Sequence, residues 1–344
     1  MNPLVSILIP TYNRPHYFEL ALQSAFNQTY DNIEIIVSDN SDNNQTQLVV
    51  QKYQEMPGGA KIKYFKNPQN LGPIANQQQC LNLANGEFIN YLMDDDLFHL
   101  RKIEKMMAYL IQYPDVTMVT SQRRVINAAG RQLYVPPIGT FKQLYTKDTV
   151  VDGRVLTKRI LEDRINYLGE PTTVLFRRKA LTEPFGVLLG RQTYFAVDMA
   201  SWLSLLSKGK GVYMVQPLSY LRYHTEQLSQ HEMAKEVAMM DIETFKFFAV
   251  NQGYATPQQI KEFEKQQGKM KKSGNQKTNQ QTLEQINQQL LQGGDKKTNQ
   301  MSNQKSNQKS NQKSNQKPIQ PFNAADLQKT INKLIKHTNA KKKG

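Results

Sequence analysis

Short apolar runs and longer stretches of three- and four-residue apolar spacing alternate along the first 120 residues. Val5–Ile9, Ile33–Ser38, Ile62–Phe65, Phe88–Leu92 and Val116–Thr120 are each too apolar to be one-sided surface strands. Such runs suit a mostly parallel sheet covered on both faces. Between them Pro15–Phe26, Thr46–Tyr53, Pro73–Leu83 and Leu100–Ile111 carry helical spacing and are expected to be the crossover helices. After Thr120 the alternation degrades, with a turn at residues 127–130 and a break at Pro136-Pro137. A helix is expected over Val151–Leu161, a strand over Thr172–Arg178, and an amphipathic helix over Ala196–Ser207. Two strands follow, Val212–Val215 and Leu218–Tyr223, separated by Pro217, and a helix over 231–250 closes the body. The fold class is therefore α/β, an open and mostly parallel twisted sheet with helices on both faces. The expected organisation is an α/β half at 1–121, a second half with closing helices at 122–260, and a tail at 261–344.

Charge separates body from tail. Of the 344 residues, 261–344 hold 18 Lys/Arg against 5 Asp/Glu, so most of the net charge of +15 belongs there. A nearly neutral body makes nucleic acid an unlikely partner. From Gln266 the chain is rich in Gln, Asn, Lys and Ser, and 302–317 are four copies of Ser-Asn-Gln-Lys. Such a composition buries too little apolar surface to offset chain entropy, so disorder is expected. Leu327, Ile331, Leu334 and Ile335 form a short apolar stripe beside lysines within 323–336. That pattern suits peripheral contact with an anionic membrane surface, docking on the body, or a marginal helix in solvent. A single cysteine, Cys80, leaves no intrachain disulfide, and no apolar run is long enough to span a bilayer. A cytoplasmic protein, peripheral at most on the inner face of the membrane, is expected.

Candidate chemistry gathers at strand ends. Asp94, Asp95 and Asp96 directly follow the fourth apolar run. Adjacent like charges raise one another's pKa unless a hard cation such as Mg²⁺ or Mn²⁺ neutralises them. The same acids could instead cap the next helix. Asp39 ends the second run, where it can accept hydrogen bonds from a base or ribose or simply close an Asx turn with Asn40 and Ser41. Pro10-Thr11-Tyr12-Asn13-Arg14 ends the first run, and ligands of open α/β sheets collect at this carboxyl edge.

In order and spacing, Val5–Arg14, Glu34–Ser41, Asn70-Leu71-Gly72, Gly86–Ile89, Asp94–Asp96, Gly169–Thr172, Val197-Asp198 and Arg222-Tyr223-His224 together resemble the family 2 glycosyltransferases over about residues 3–225. The resemblance implies a GT-A fold, a nucleoside diphosphate sugar donor, Mn²⁺ or Mg²⁺ at a D-x-D-type motif, and inversion at the sugar carbon. It places Pro10, Thr11, Tyr12, Arg14, Asp39, Asn70, Gly72 and Asp94 at the nucleotide sugar. Asp94, Asp95, Asp96 and His224 become metal candidates, with no rank among the three acids. Glu170 would position donor or acceptor, and Asp198 would be the general base; its alternative is an acid favoured by a helix N-terminus. Two departures stand out. Asn76 occupies a position that is basic in many relatives, and the Gln-x-x-Arg-Trp motif of processive synthases is missing. The implied reaction is a single addition from a UDP-sugar to a hydroxyl of a surface glycan or lipid-linked acceptor. The alternative is a scaffold that keeps the fold without turnover.

Overall fold

A computed structural model describes residues 2–134, 143–224 and 234–272. The chain divides into two compact units, 1–267 and 268–344, and the second falls almost wholly outside the described residues. The Pro136-Pro137 break, the Ser-Asn-Gln-Lys repeats and the amphipathic segment at 323–336 lie outside them too.

The first half alternates as its pattern predicts: β1 (Val5–Thr11), α1 (Pro15–Phe26), β2 (Ile33–Asp39), α2 (Gln45–Gln54), β3 (Ile62–Lys66), α3 (Pro73–Leu83) and β4 (Phe88–Tyr91). Proline at the first turn of α1 and of α3 sets φ where no backbone donor is needed. A two-residue β5 (Leu97–Phe98), α4 (Lys102–Gln112) and a long β6 (Val116–Asn127) follow. Residues 127–130 turn β6 into β7 (Gln132–Leu133).

The second half departs from its sequence pattern in three places. Thr149–Asp152 is a strand, β8, and α5 (Gly153–Asp163) begins only where the Asp152 carboxylate caps the amides of Arg154 and Val155. Of the expected strand Thr172–Arg178 only β9 (Leu175–Arg177) pairs, because Pro171–Thr173 forms a 3₁₀ turn. The two expected strands around Pro217 are one continuous β12 (Lys210–Tyr223), whose register against β6 shifts at Pro217. A bulge accommodates the missing N–H there. A small hairpin, β10 (Val187–Leu188) and β11 (Arg191–Gln192), leads to α6 (Val197–Leu206). The body closes with α7 (Ala234–Asn251) and α8 (Pro257–Lys272), the latter running past Gln266, where the polar composition takes over.

The strands form one mixed sheet in the order β3-β2-β1-β4-β9-β6-β12-β5. Pairs β3-β2-β1-β4 are parallel, and β9 lies antiparallel between β4 and β6. Alternating residues fill both faces. Ile7, Ile9, Ile35 and Val37 pack toward α1, α2 and α4, while Leu8, Ile36, Ile89 and Tyr91 pack toward α3, α5 and α6. After β3 the chain crosses to the other side of β1, so strand order reverses beside β1 and the ends of β1, β2 and β4 frame a crevice.

Candidate active site

Parallel register aligns the functional row. Thr11 pairs with Asp39, and Asp39 with Lys66, so three strands end level. Asp39 is fully buried. Its Oδ1 accepts from the Ser41 amide at 2.8 Å, closing the Asx turn, while Oδ2 accepts from Tyr64 Oη at 2.8 Å and Lys66 Nζ at 3.1 Å. Asn70 Oδ1 accepts from Asn40 and from the Gly72 amide, both at 2.9 Å. Gly72, at φ +81°, turns the chain into α3. Asn76, the departure from a basic residue, is buried and donates to the carbonyls of Thr11 and Ser38, tying the ends of β1 and β2 together.

The acidic run splits three ways. Asp94 Oδ2 accepts from Thr11 Oγ1 at 2.9 Å and from the Tyr12 amide at 3.3 Å; Arg14 Nη1 lies between Asp94 Oδ1 at 3.3 Å and Asp95 Oδ2 at 3.2 Å. Burial and the Asp95 charge push the Asp94 carboxyl up to about 6, against Arg14 and Thr11, which pull it down. His224 Nε2 stands 3.0 Å from Asp95 Oδ2, and Tyr17 packs on the imidazole with ring centroids 5.0 Å apart. Asp96 turns away from both and is held well above the usual carboxylate range by burial and by the Asp95 charge. Pro10 lies inside β1, and Tyr12, 40% exposed, stands at the rim.

Arg222 had no assigned part in the sequence reading. It is buried, its Nε donates to the Asp95 carbonyl at 2.7 Å, and its guanidinium lies 5.0 Å from the Tyr17 ring centroid. Its neighbour His224 was the visible residue of that segment.

Across the 169–173 turn lies the second cluster. Gly169 adopts φ +87°, and a Cβ there would stand 2.5 Å from Thr173 Oγ1. Its carbonyl accepts from Trp202 Nε1 at 2.9 Å, which joins the turn to α6. Glu170 forms an ion pair with Arg123 at 2.7 Å. Asp198 sits in the first turn of α6, its Oδ1 accepting from the Met199 amide at 2.8 Å and its Oδ2 facing Asn166 Nδ2 at 3.4 Å. The residue is partly exposed, but its carboxyl is enclosed. Burial, reinforced by Glu170, raises it to about 7, opposed by the Met199 amide and Arg123. Such a group takes up a proton readily at neutral pH.

Asp241 on α7 accepts from the amides of Tyr194, Phe195 and Ala196 at 2.7–2.9 Å and so holds the N-terminus of α6 from another helix. Neither Arg123, Asn166 nor Asp241 carries a local sequence signal, because each acts across a long chain separation. Cys80 is fully buried, with its thiol pushed up to about 12 by burial, and takes no part. Among the described residues no three His, Cys, Asp or Glu side chains converge as a closed metal site. None of the described helices is long and apolar enough to cross a membrane.

Comparison with known proteins agrees with this architecture. The structure superposes on TarS of S. aureus, crystallised with UDP-GlcNAc, with a TM-score of 0.55 and 20% identity over 72% of this chain and 66% of that one. The shared fold is the GT-A fold. An uncharacterized glycosyltransferase of Methanocaldococcus jannaschii is 32% identical over 147 residues, covering 42% of this chain and 50% of that protein. The Campylobacter jejuni GalNAc(5)-diNAcBac-PP-undecaprenol beta-1,3-glucosyltransferase is 43% identical over 96 residues, covering 27% of this chain and 30% of its own. The chain thus spans half or less of these two relatives. The model of Glycosyl transferase family 2 matches residues 6–181, from β1 through the acidic run to β9, and with that match the chain belongs to family 2 of the glycosyltransferases.

Proposed function

We propose that the protein transfers one sugar from a nucleoside diphosphate sugar, a uridine one, to an acceptor hydroxyl with inversion. The observation that carries this reading is the enclosed Asp198 carboxyl, raised to about 7, across the 169–173 turn from the Asp94–Asp95–His224 cluster. In a single inverting displacement the acceptor hydroxyl loses its proton as it attacks, and a carboxylate within hydrogen-bond reach takes it. Asp198 holds that proton at Oδ2, with Asn166 orienting the carboxylate. Glu170, fixed by Arg123, positions the acceptor. Thr11, Tyr12 and Asp94 line the nucleotide side, and Asp39, its carboxylate held by Ser41, Tyr64 and Lys66, shapes the base end of the site.

A divalent cation fits the donor set. Asp95 and His224 already lie 3.0 Å apart, and Mn²⁺ or Mg²⁺ is commonly held by one or two protein ligands together with substrate phosphates. Arg14 adds positive charge at the same carboxylates, 3.3 Å from Asp94 Oδ1 and 3.2 Å from Asp95 Oδ2. When bound, the ion stabilises the charge on the departing diphosphate.

A uridine donor is supported by the structural neighbour crystallised with UDP-GlcNAc. A lipid-linked or surface-glycan acceptor is supported by the undecaprenol-linked acceptor in the Campylobacter relative's name. The basic residues beyond 267 suit peripheral contact with an anionic membrane, where such acceptors lie. The test is Asp198→Asn, assayed for transfer and for Mn²⁺-dependent thermal stabilisation by UDP. Transfer is expected to vanish while stabilisation stays. Transfer at the wild-type rate would remove Asp198 as the base, and a wild type that neither binds UDP nor transfers would favour a scaffold.

A further inference from the structure

The three adjacent carboxylates do not share one task. Asp94 turns back to β1 and Asp95 to His224, but Asp96, 1% exposed, faces the acceptor-side turn. Its Oδ2 accepts from Thr172 Oγ1 at 2.6 Å and its Oδ1 from the Arg222 amide at 2.9 Å. Thr172 Oγ1 also accepts from the Met93 amide at 3.1 Å. The hydroxyl's single proton is thus committed to Asp96 and one of its lone pairs to the backbone just before the acidic run. This ring clasps the run that carries Asp94 and Asp95 to the 3₁₀ turn Pro171–Thr173, directly after Glu170.

The same turn is fastened elsewhere. Its leading carbonyl, at Gly169, accepts from Trp202 on the helix that carries Asp198. Its trailing carbonyl, at Thr173, accepts from the buried Lys102 Nζ at 2.9 Å. Of these anchors only the Thr172 hydroxyl connects the turn to the donor-side acids. Both oxygens of Asp96 are engaged by protein donors.

We propose that Asp96 is a positioning residue rather than a metal ligand. Through the Thr172 hydroxyl it fixes the acceptor-side turn at a set distance from the donor diphosphate. This deepens the reading above and rests on it, because the distance matters only if a sugar passes between the two sides. Small misplacements of reacting groups cost rate strongly, whereas the contacts of Asp94 and Asp95 with Thr11, Tyr12 and His224 do not run through Thr172.

The experiment uses the full chain and five variants: Asp96→Asn, Thr172→Val, their double variant, Thr172→Ser and, as the ligand control, Asp95→Asn. Mn²⁺ binding is titrated by electron paramagnetic resonance of the free ion in the presence of UDP. UDP affinity is measured by calorimetry, and kcat and KM by steady-state transfer. Asp96→Asn and Thr172→Val are expected to bind Mn²⁺ and UDP within about 3-fold of wild type while kcat falls about 10-fold or more. Thr172→Ser, which restores the hydroxyl, should recover most of the rate. The Asp96→Asn/Thr172→Val double variant should be no slower than the slower single one, because both break the same ring. Asp95→Asn should lose Mn²⁺. Loss of Mn²⁺ by Asp96→Asn to the same extent would make Asp96 a ligand and overturn the inference, as would wild-type kcat in Thr172→Val. Failure of the wild-type chain itself to bind UDP with Mn²⁺ would overturn the underlying reading and take this inference with it.

Discussion

A carboxyl whose charge is resisted by burial should weaken the fold that holds it, and Asp198 allows that cost to be measured. Its carboxyl rises from the ordinary 3.8 to about 7, chiefly through burial. In the unfolded chain the group ionises near 3.8, so between these values the unfolded state holds the charge that the folded state resists. Stability is therefore unaffected below about pH 4, falls as pH rises toward 7, and stays lowered above it. A shift of this size corresponds to about 4 kcal/mol at most. Because the residue is partly exposed, about 2 kcal/mol is the working figure. Asp198→Asn keeps the shape and an oxygen for the Met199 amide but carries no charge. Its melting temperature relative to wild type should be about 4–8 °C higher at pH 8 than at pH 4. Any fixed cost of turning an amide toward Asn166 cancels when the two pH values are compared. The assay is paired melting curves across pH 4–8 in the absence of nucleotide and metal. A difference that does not change with pH, or one that moves in favour of the wild type as pH rises, would refute the assignment of a raised carboxyl.

Three further outcomes follow from the same geometry. The acid limb of kcat/KM should have its midpoint near pH 7, and Glu170→Gln should move it lower, since that charge raises Asp198 and its loss leaves Arg123 to act alone; a pH–rate profile reads both. Asp39→Asn, which replaces one of the two buried acceptor oxygens at the end of β2 by a donor and removes the charge, should weaken UDP binding about 10-fold by calorimetry, with Lys66 and Tyr64 losing their charged partner. Lys102 has no exposed surface, and burial holds its ammonium well below the ordinary range. The folded state therefore resists its charge at every pH below that of a free lysine. Lys102→Met removes that charge but leaves the Thr173 carbonyl without its donor, so the readout is the pH dependence: the stability of the variant relative to wild type should fall by about 1–3 kcal/mol as pH rises from 7 to 10, as followed by urea denaturation.

The legible part of this protein is its first half. Strands buried on both faces are near-continuous apolar runs, so β1 to β4 stand out, and α1 and α3 begin and end where proline and spacing place them. Legibility fails where one signal serves two structures. Val150 and Val151 suit a strand or a helix, and only the capping by Asp152 marks the boundary. Pro217 reads as a break, yet a register shift lets one strand pass through it. The thin apolar stripe of α8 falls in a polar stretch and gave no expectation of a helix. At the site, Asp39, Asp94–Asp96, Asp198 and His224 were visible as residues, but the division of labour among the three acids was not. That division depends on Thr11, His224 and Thr172, which approach from three separate parts of the chain. Arg123 and Asp241 were invisible for the same reason.

The position of β9 limits how such a protein can be rearranged. Its three residues come from the second half of the chain, yet they fill the centre of the sheet between β4 and β6, and they continue directly from the turn that bears Glu170 and Thr172. A fragment ending near residue 121 would leave β4 with an open edge and unpaired amides in what should be the protein's interior, an invitation to aggregation. The two halves of the chain are therefore not separable modules, because the second completes the sheet of the first. Replacement is better tolerated in the hairpin β10-β11, which pairs only with itself and leaves the central pairing intact.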